Sequence, residues 1–421
     1  MADTEAARLR EKDLATRLTD AVRGRNIKIA EDLLLEGASV HGSVEIYVPP
    51  LIVAAETGNA KMMKLLLDRG ADPDQCIRKE IISPFEIRLA RGTRSLYVAV
   101  LMEHLNATRM LLEAGANPNA TDVEGNTPLM VLCRGRLVDR ATAISRITFL
   151  RVLLDAGANP LLVQIFGFTA MHFAAGSNDV DLLDIMLRTA PSTLDRVSWN
   201  GTTPLLMAAE AGNAESVSRL LSAGASNKSV FELPNMDFAC PLAAAVDRGH
   251  DEVVRVLLGQ GMEAIGAVRA VGRVAFKVVS EGRANILRMI LDAVGEEQRE
   301  QLSASKFMNT SLLQRAVANR DLSIVRVLLA FGAAETACDA YGKLMMDIVL
   351  ANEPKDKSDP KNTYAICSML DRAPALLARS WLWPTCYATT KNASNGEEKA
   401  ILYVRISRSK NRDLYAKILR G

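Results

Sequence analysis

The sequence predicts an all-α protein built as a stack of repeated helix pairs, and three observations support this. Across its 421 residues, 49% are hydrophobic but only 5% aromatic. A core of Leu, Ala, Val, Ile and Met suits thin layers of short helices better than a β-sandwich. The second observation is a recurring Leu-Leu-x-x-Gly-Ala block, and the third is a Thr-Pro-Leu block that precedes it. Two blocks in fixed order, repeated along a chain, are the signature of a repeat architecture.

The Gly-Ala block reads LLLEGA at Leu33 to Ala38, LLLDRGAD at Leu65 to Asp72, LLEAGANPN at Leu111 to Asn119 and LLDAGANP at Leu153 to Pro160. It returns at Leu220, Leu257 and Leu328. The glycines are Gly37, Gly70, Gly115, Gly157, Gly224, Gly261 and Gly332, with steps of 33, 45, 42, 67, 37 and 71. Degenerate copies near Ala190 and Gly295 divide the two long steps, leaving a unit near 33 residues with insertions. The preceding block is seen at Thr127, Thr169, Thr203 and Cys240, with weaker forms at Pro49 and Thr310.

Each piece has a physical task. Thr caps a free amide at the start of the first helix, and Pro follows in the first turn, where no N–H is needed. Leu and Ala form a narrow apolar stripe that allows close packing. Gly-Asn or Gly-His separates the helices, because Gly tolerates positive φ. The second helix repeats apolar positions at helical spacing, as in Val253, Val256 and Leu257. The next Gly stops it, and Asn or Asp with Pro starts an extended turn.

These motifs resemble the ankyrin repeat family, most specifically over Gly201 to Ala225. The resemblance covers residues 1–377 in about ten helix-turn-helix units. It implies a solenoid with β-hairpin fingers on its concave side. Insertions are expected near 76–94, in a finger, and near 134–147, between two helices. Degenerate units are expected near 270–295 and 341–377. Residues 378–421 read as a capping segment with a basic tail; the caps would be Trp381, Trp383 and Tyr387, which could instead dock on a partner.

The charges are 51 Lys and Arg against 49 Asp and Glu, formally +2, which disfavours general nucleic-acid binding. Six widely separated cysteines form no Cys-x-x-Cys pair, so neither a zinc site nor a disulfide framework is expected. No apolar run is long enough to span a bilayer. The N-terminal stretch has no secretory apolar region, which predicts an intracellular protein, cytoplasmic or nuclear. Phosphate-loop, nucleophile-elbow and zinc-helix motifs are lacking. The expectation is no enzyme, no cofactor and no metal. His172 and His250 fall on repeat positions and read as hydrogen-bonding groups, while Met62, Met63, Met130, Met186 and Met207 read as core.

What remains is surface. In the resemblance, partners contact residues flanking the finger glycine and the end of the first helix. Those positions here are Ile165, Phe166 and Phe168, then Trp199, Asn200 and Thr202 with Glu210, then Met236 and Asp237 with Asp247 and Arg248. Apolar residues on adjacent fingers would form an exposed patch, a mark of interaction sites; the competing reading has Phe166 or Phe168 folding inward. A basic rim is expected from Arg78, Lys79, Arg88, Arg91 and Arg94 in the first insertion and from Arg134, Arg136 and Arg140 in the second, with Arg146 and Arg151 counted beside them. The rim would orient an acidic partner or simply be solvated. The resulting expectation is a scaffold or adaptor binding a partner protein on the finger-bearing face. The alternatives are a nuclear co-regulator acting through a DNA-binding partner, and a basic tail that binds nucleic acid or anionic membrane.

Overall fold

The computed structural model describes residues 2–42, 48–82, 88–135, 143–227, 240–259, 268–295, 302, 306–307 and 310–331. Met236, Asp237, Arg136, Arg140, the unit near 341–377 and the segment 378–421 lie outside the described residues. The chain divides into two units, Met1–Gly266 and Ala267–Gly421.

The first unit holds seven helix pairs among its described residues: α1 (Ala2–Arg23) with α2 (Ile27–Leu35), α3 (Pro50–Thr57) with α4 (Ala60–Asp68), α5 (Ser95–Leu101) with α6 (Leu105–Glu113), α7 (Pro128–Arg134) with α8 (Ala143–Asp155), α9 (Ala170–Gly176) with α10 (Val180–Thr189), α11 (Pro204–Ala211) with α12 (Ala214–Ser222), and α13 (Pro241–Arg248) with α14 (Asp251–Leu258). Odd-numbered helices pack on one another in sequence from α1 to α13, and even-numbered helices do the same from α2 to α14. Two layers result, in which each helix touches its own partner and its counterparts in adjacent pairs.

The sequence blocks explain the register. In the first unit, the leucine four residues before each recurring glycine is buried: Leu33, Leu66, Leu111, Leu153, Leu220 and Leu257 are each 1% exposed or less. Leu33, Leu66, Leu111, Leu153 and Leu220 also use their carbonyls. Each accepts the N–H of the alanine after the glycine, as in Ala116 to Leu111 at 2.9 Å and Ala225 to Leu220 at 2.9 Å. This six-to-one bond closes the helix around a glycine at positive φ, so one short motif seats a core side chain and ends the helix. At the other end, the hydroxyls of Thr127 and Thr203 accept the N–H of Met130 at 3.2 Å and Leu206 at 3.1 Å.

Polar side chains between the helices tie successive pairs together. His104 Nε2 lies 3.1 Å from the Glu56 carbonyl, and His250 Nε2 lies 3.1 Å from that of Glu210. Asn213 Nδ2 donates to the Gly176 carbonyl at 2.9 Å. Each such contact occupies a carbonyl at the end of a first helix, where the intrahelical partner is missing.

The insertion near 76–94 forms an antiparallel hairpin of β1 (Ile81–Ile82) and β2 (Arg88–Leu89), with Ile82 opposite Arg88. Val98, Ile52, Ile77 and Leu89 make a small apolar cluster that seats it. The second insertion is narrower than the sequence suggests. Helix α8 already begins at Ala143, so Arg146 and Arg151 are helical residues. Arg146 is 8% exposed, pairs with Asp179 at 3.0 Å and donates to the Leu132 carbonyl at 2.6 Å. It is an internal tie between two helix pairs, not a rim charge.

In the second unit, α15 (Val268–Ser280) pairs with α16 (Ala284–Ala293), and α17 (Leu312–Ala318) pairs with α18 (Leu322–Ala330). Helices α15 and α17 form one layer and α16 and α18 the other. Strand β3 (Lys306–Phe307) pairs antiparallel with β4 (Thr310–Ser311) just before α17. The degenerate sequence near 270–295 therefore still forms a helix pair.

Two glycines test the division of labour. Gly157 has φ +88° with open space around its missing Cβ. Gly167 has φ +87°, and a Cβ there would lie 3.0 Å from Ser198 Cα and the Trp199 backbone nitrogen. Gly157→Ala is expected to cost about 1–2 kcal/mol from backbone strain alone. Gly167→Ala is expected to cost about 1–3 kcal/mol beyond that, from overpacking. Urea midpoints of the two variants check this; equal losses would contradict it.

Candidate functional site

Three finger turns have the same build. Each starts on a buried polar residue, Asp122, Gln164 or Ser198, and ends on a glycine at positive φ, Gly125, Gly167 or Gly201. The backbone closes each loop: Asp122 N–H donates to the Asn126 carbonyl at 3.2 Å, Gln164 to Phe168 at 2.9 Å and Ser198 to Thr202 at 2.9 Å. The leading side chain then satisfies amides within the turn. Asp122 Oδ1 accepts from the N–H of Glu124 and of Asn126, both at 2.9 Å; Gln164 Oε1 accepts from Phe166 at 2.7 Å; Ser198 Oγ accepts from Thr202 at 2.9 Å. Such local bonds hold a turn where no sheet does so.

Successive fingers are joined by backbone. Val123 N–H donates to the Arg91 carbonyl at 3.0 Å, Ile165 to Glu124 at 2.9 Å and Trp199 to Phe166 at 3.0 Å. The bond always runs from the residue two before one finger glycine to the residue just before the preceding finger glycine. Gly92, Gly125 and Gly167 have no Cβ to block it, since one would sit 3.0–3.2 Å from the next finger's backbone.

The side chains between these bonds face outward. Ile165 is 44% exposed, Phe166 50% and Trp199 78%. Val123, at the turn position of Ile165 and Trp199, is also exposed, as are Ile82, Leu161 and Val163. The sequence reading missed these four. For Val123 the signal was present: it stands two residues before Gly125, as Ile165 stands before Gly167 and Trp199 before Gly201.

Several expected positions are placed otherwise. Phe168 does not join the exposed strip; it is half-buried, its ring edge-on to His172 at 5.3 Å and tilted against Phe173 at 5.9 Å. Aromatic and imidazole surface beneath the finger is a better environment for it than water. Thr202 is buried, and its carbonyl accepts from His172 Nε2 at 3.1 Å. Asn200 is exposed but turned inward, its Oδ1 accepting from Thr202 Oγ1 at 2.9 Å. Glu210 is half-buried, whereas Asp247 and Arg248 are exposed at the end of α13.

The basic rim is thinner than the sequence suggests. Arg94 is half-buried and donates to three carbonyls, Asp74 at 3.0 Å, Gly92 at 3.1 Å and Thr121 at 2.7 Å, so it is a structural clamp. Arg88 pairs with Glu80, whose carboxyl is held below its usual range by that bond. The Arg134 guanidinium stacks 4.4 Å from the Phe173 ring. Arg78, Lys79 and Arg91 are exposed.

His172 is fully buried in the first turn of α9. Its Nδ1 accepts the Thr169 N–H at 3.1 Å, which leaves Nε2 as the protonated nitrogen facing the Thr202 carbonyl. Burial pushes its pKa down to about 4. The neutral ring thus joins one helix start to the next finger. Burial also pushes the Cys133 thiol up to about 12 and raises that of Cys240, so neither is poised as a nucleophile. No cluster of three or more potential metal ligands occurs among the described residues, nor is any described helix long and apolar enough to cross a membrane.

Comparison with known proteins accords with this geometry. Residues 18–122, 51–144, 138–231 and 190–267 match the family described as ankyrin repeats in three copies, together more than half the chain. The chain belongs to the ankyrin repeat family. Ankyrin repeats are protein–protein interaction modules and are typically non-enzymatic. Among curated proteins, the chain is similar to the human ankyrin repeat and SOCS box protein 3, 29% identical over 196 residues, covering 47% of this chain and 34% of that protein. It is 30% identical over 142 residues to a bovine mitochondrial disaggregase, covering 28% of this chain and 21% of that protein. It is 37% identical over 103 residues to a probable E3 ubiquitin-protein ligase of rice, XBOS31, covering 24% and 22%. The match thus spans between a fifth and about a third of these relatives' lengths.

Two measurements follow from this ankyrin surface. An unfolded His titrates near 6.5 and folded His172 near 4. Between those values the unfolded chain binds the extra proton, so stability falls as pH drops from about 6.5 to about 4 and levels off below. The full effect is on the order of 3 kcal/mol, and His172→Gln should remove that part of the slope in urea midpoints taken across the window. Separately, Phe168→Ser should cost about 1–2 kcal/mol through lost apolar burial. Trp199→Ser should change stability by less than about 0.5 kcal/mol, and the same melts decide.

Proposed function

We propose that this ankyrin repeat protein is a non-catalytic scaffold or adaptor that binds a partner protein through its finger strip. The observation that carries this reading is a concentration of apolar surface. Of the ten large hydrophobic side chains exposed among the described residues, seven lie on four consecutive fingers: Ile82, Val123, Leu161, Val163, Ile165, Phe166 and Trp199. Exposed apolar surface costs solubility, and its concentration on successive fingers is what an interface requires. Trp and Phe are the side chains most suited to anchor one, since they bring large area with few rotatable bonds.

Rigidity supports the same reading. The fingers are closed by internal bonds and joined to one another by backbone, so little ordering entropy remains to be lost on binding. Asp247 and Arg248 would extend the surface along the ends of the first helices.

The test is affinity capture from the native cell with the wild-type chain and a Phe166→Ser, Trp199→Ser double variant of unchanged helicity. The expected outcome is a protein recovered with wild type and reduced at least tenfold with the variant. Equal recovery would overturn the assignment of the strip.

A further inference from the structure

The fingers carry their charge unevenly: among the described residues of the first, Arg78, Lys79, Arg88, Arg91 and Arg94 stand against Asp72, Asp74 and Glu80, a local positive excess that the chain's overall balance conceals. Every described carboxylate on these fingers is engaged internally. Asp72 Oδ1 accepts the N–H of Asp74 at 2.9 Å, and the Asp74 carboxylate accepts that of Asn117 at 3.1 and 3.2 Å. Asp122 builds its own turn, and Glu124 accepts from Asn126 Nδ2 at 3.2 Å. Glu80 is paired with Arg88, and Asp195 Oδ1 accepts the N–H of Ser226 at 2.8 Å. By contrast, Arg78 and Arg91 are exposed and have no carboxylate within ion-pair distance among the described residues. Arg91 also contributes the carbonyl to which Val123 is bonded, so its backbone lies beside the apolar strip.

From this asymmetry we infer that the strip recognises an extended, acidic-flanked apolar segment of a partner protein. Its apolar side chains would lie across Val123, Ile165, Phe166 and Trp199, and its carboxylates would reach Arg78 and Arg91. This inference rests on the partner-binding reading of the finger strip and adds the chemistry of what binds there. A free guanidinium beside apolar surface that binding would cover forms its strongest contact with a carboxylate, bidentate and partly desolvated. An acidic flank also raises the encounter rate, and a basic one is repelled. An anionic membrane would meet the same arginines, but Glu124 and Asp195 keep their negative charge on later fingers, and a uniform negative plane cannot avoid them. A peptide can place its charges to suit.

The experiment uses the full chain and a displayed library of random 16-residue peptides, with the enriched sequences resynthesised as fluorescent probes. The expected result is enrichment of peptides with apolar residues next to Asp or Glu. Affinity should fall tenfold or more with Arg78→Glu, Arg91→Glu and recover when the probe's acidic residues are replaced by Lys. The milder Arg78→Gln, Arg91→Gln variant should weaken binding without reversing preference, and serves if the charge reversal disturbs helicity. Uncharged apolar peptides, unaffected by either arginine variant but lost with Phe166→Ser, Trp199→Ser, would overturn the acidic complement and leave the strip as the binding surface. Peptides indifferent to Phe166 and Trp199 would overturn both readings, and failure to enrich any peptide would overturn the inference. Binding to vesicles with 30% phosphatidylserine, abolished by the same variants, together with no peptide enrichment, would replace the partner segment by a membrane.

Discussion

A finger glycine can stand in the left-handed region and let the next finger's backbone approach to about 3 Å of where a Cβ would be. Gly92, Gly125 and Gly167 meet both conditions, and the rest of the finger surface follows from them. Positive φ turns the chain back on itself, and the missing Cβ lets Val123, Ile165 and Trp199 reach the preceding finger's carbonyl. Without that approach the fingers would be separate loops, each ordered only by its own helices. With it they form a continuous frame, joined by hydrogen bonds as well as through the packed helices beneath.

Fixing the backbone this way leaves the side chains at the turn free to vary. The polar residue that starts each turn is buried and differs in kind, Asp122, Gln164 or Ser198, yet each satisfies an amide within its own turn. In the Gln164 turn the next two positions, Ile165 and Phe166, contribute their backbone to the joints and their side chains to the surface, as Trp199 does in the turn that follows. That is how a Trp and a Phe can sit mostly in water without loosening the fold. The same logic governs charge. A chain with formal charge +2 can still gather a positive excess on one finger, where Arg78 and Arg91 have no carboxylate within ion-pair distance among the described residues. Net charge describes the whole chain; a docking segment meets the charges of the fingers it touches.

Much of this architecture is legible in the sequence because its restraints are local. A leucine four residues before a glycine, a threonine before a proline and a glycine between helices each specify a bond within a few residues. Helix pairs and turn positions can therefore be read off one repeat at a time. The register of Ile165, Phe166 and Trp199 is visible for the same reason. What is hidden depends on contacts between repeats. Phe168 follows Gly167 and looks like a finger residue, yet the rings of His172 and Phe173 beneath it offer apolar cover that only the folded turn creates. Arg94 and Arg146 look like surface cations, and the carbonyls that claim them are distant in sequence: Thr121 lies 27 residues from Arg94, and Leu132 lies 14 from Arg146. Long basic side chains in an insertion look alike whether they end in water or in a carbonyl cage.

The joints between repeats are not all alike, and this bears on how such a chain can change by descent. A finger offers an amide to its predecessor and a carbonyl to its successor. Removing or duplicating one finger and its helix pair therefore leaves matching ends face to face. The segment from α7 to α11 cannot be treated so freely. The buried Arg146–Asp179 pair spans one of its boundaries, and the neutral His172 contact with Thr202 spans the next. Losing one member of the ion pair would leave an uncompensated charge in the interior. These three helix pairs, which carry the most apolar fingers, are therefore held to one another by buried polar contacts as well as by the finger backbone.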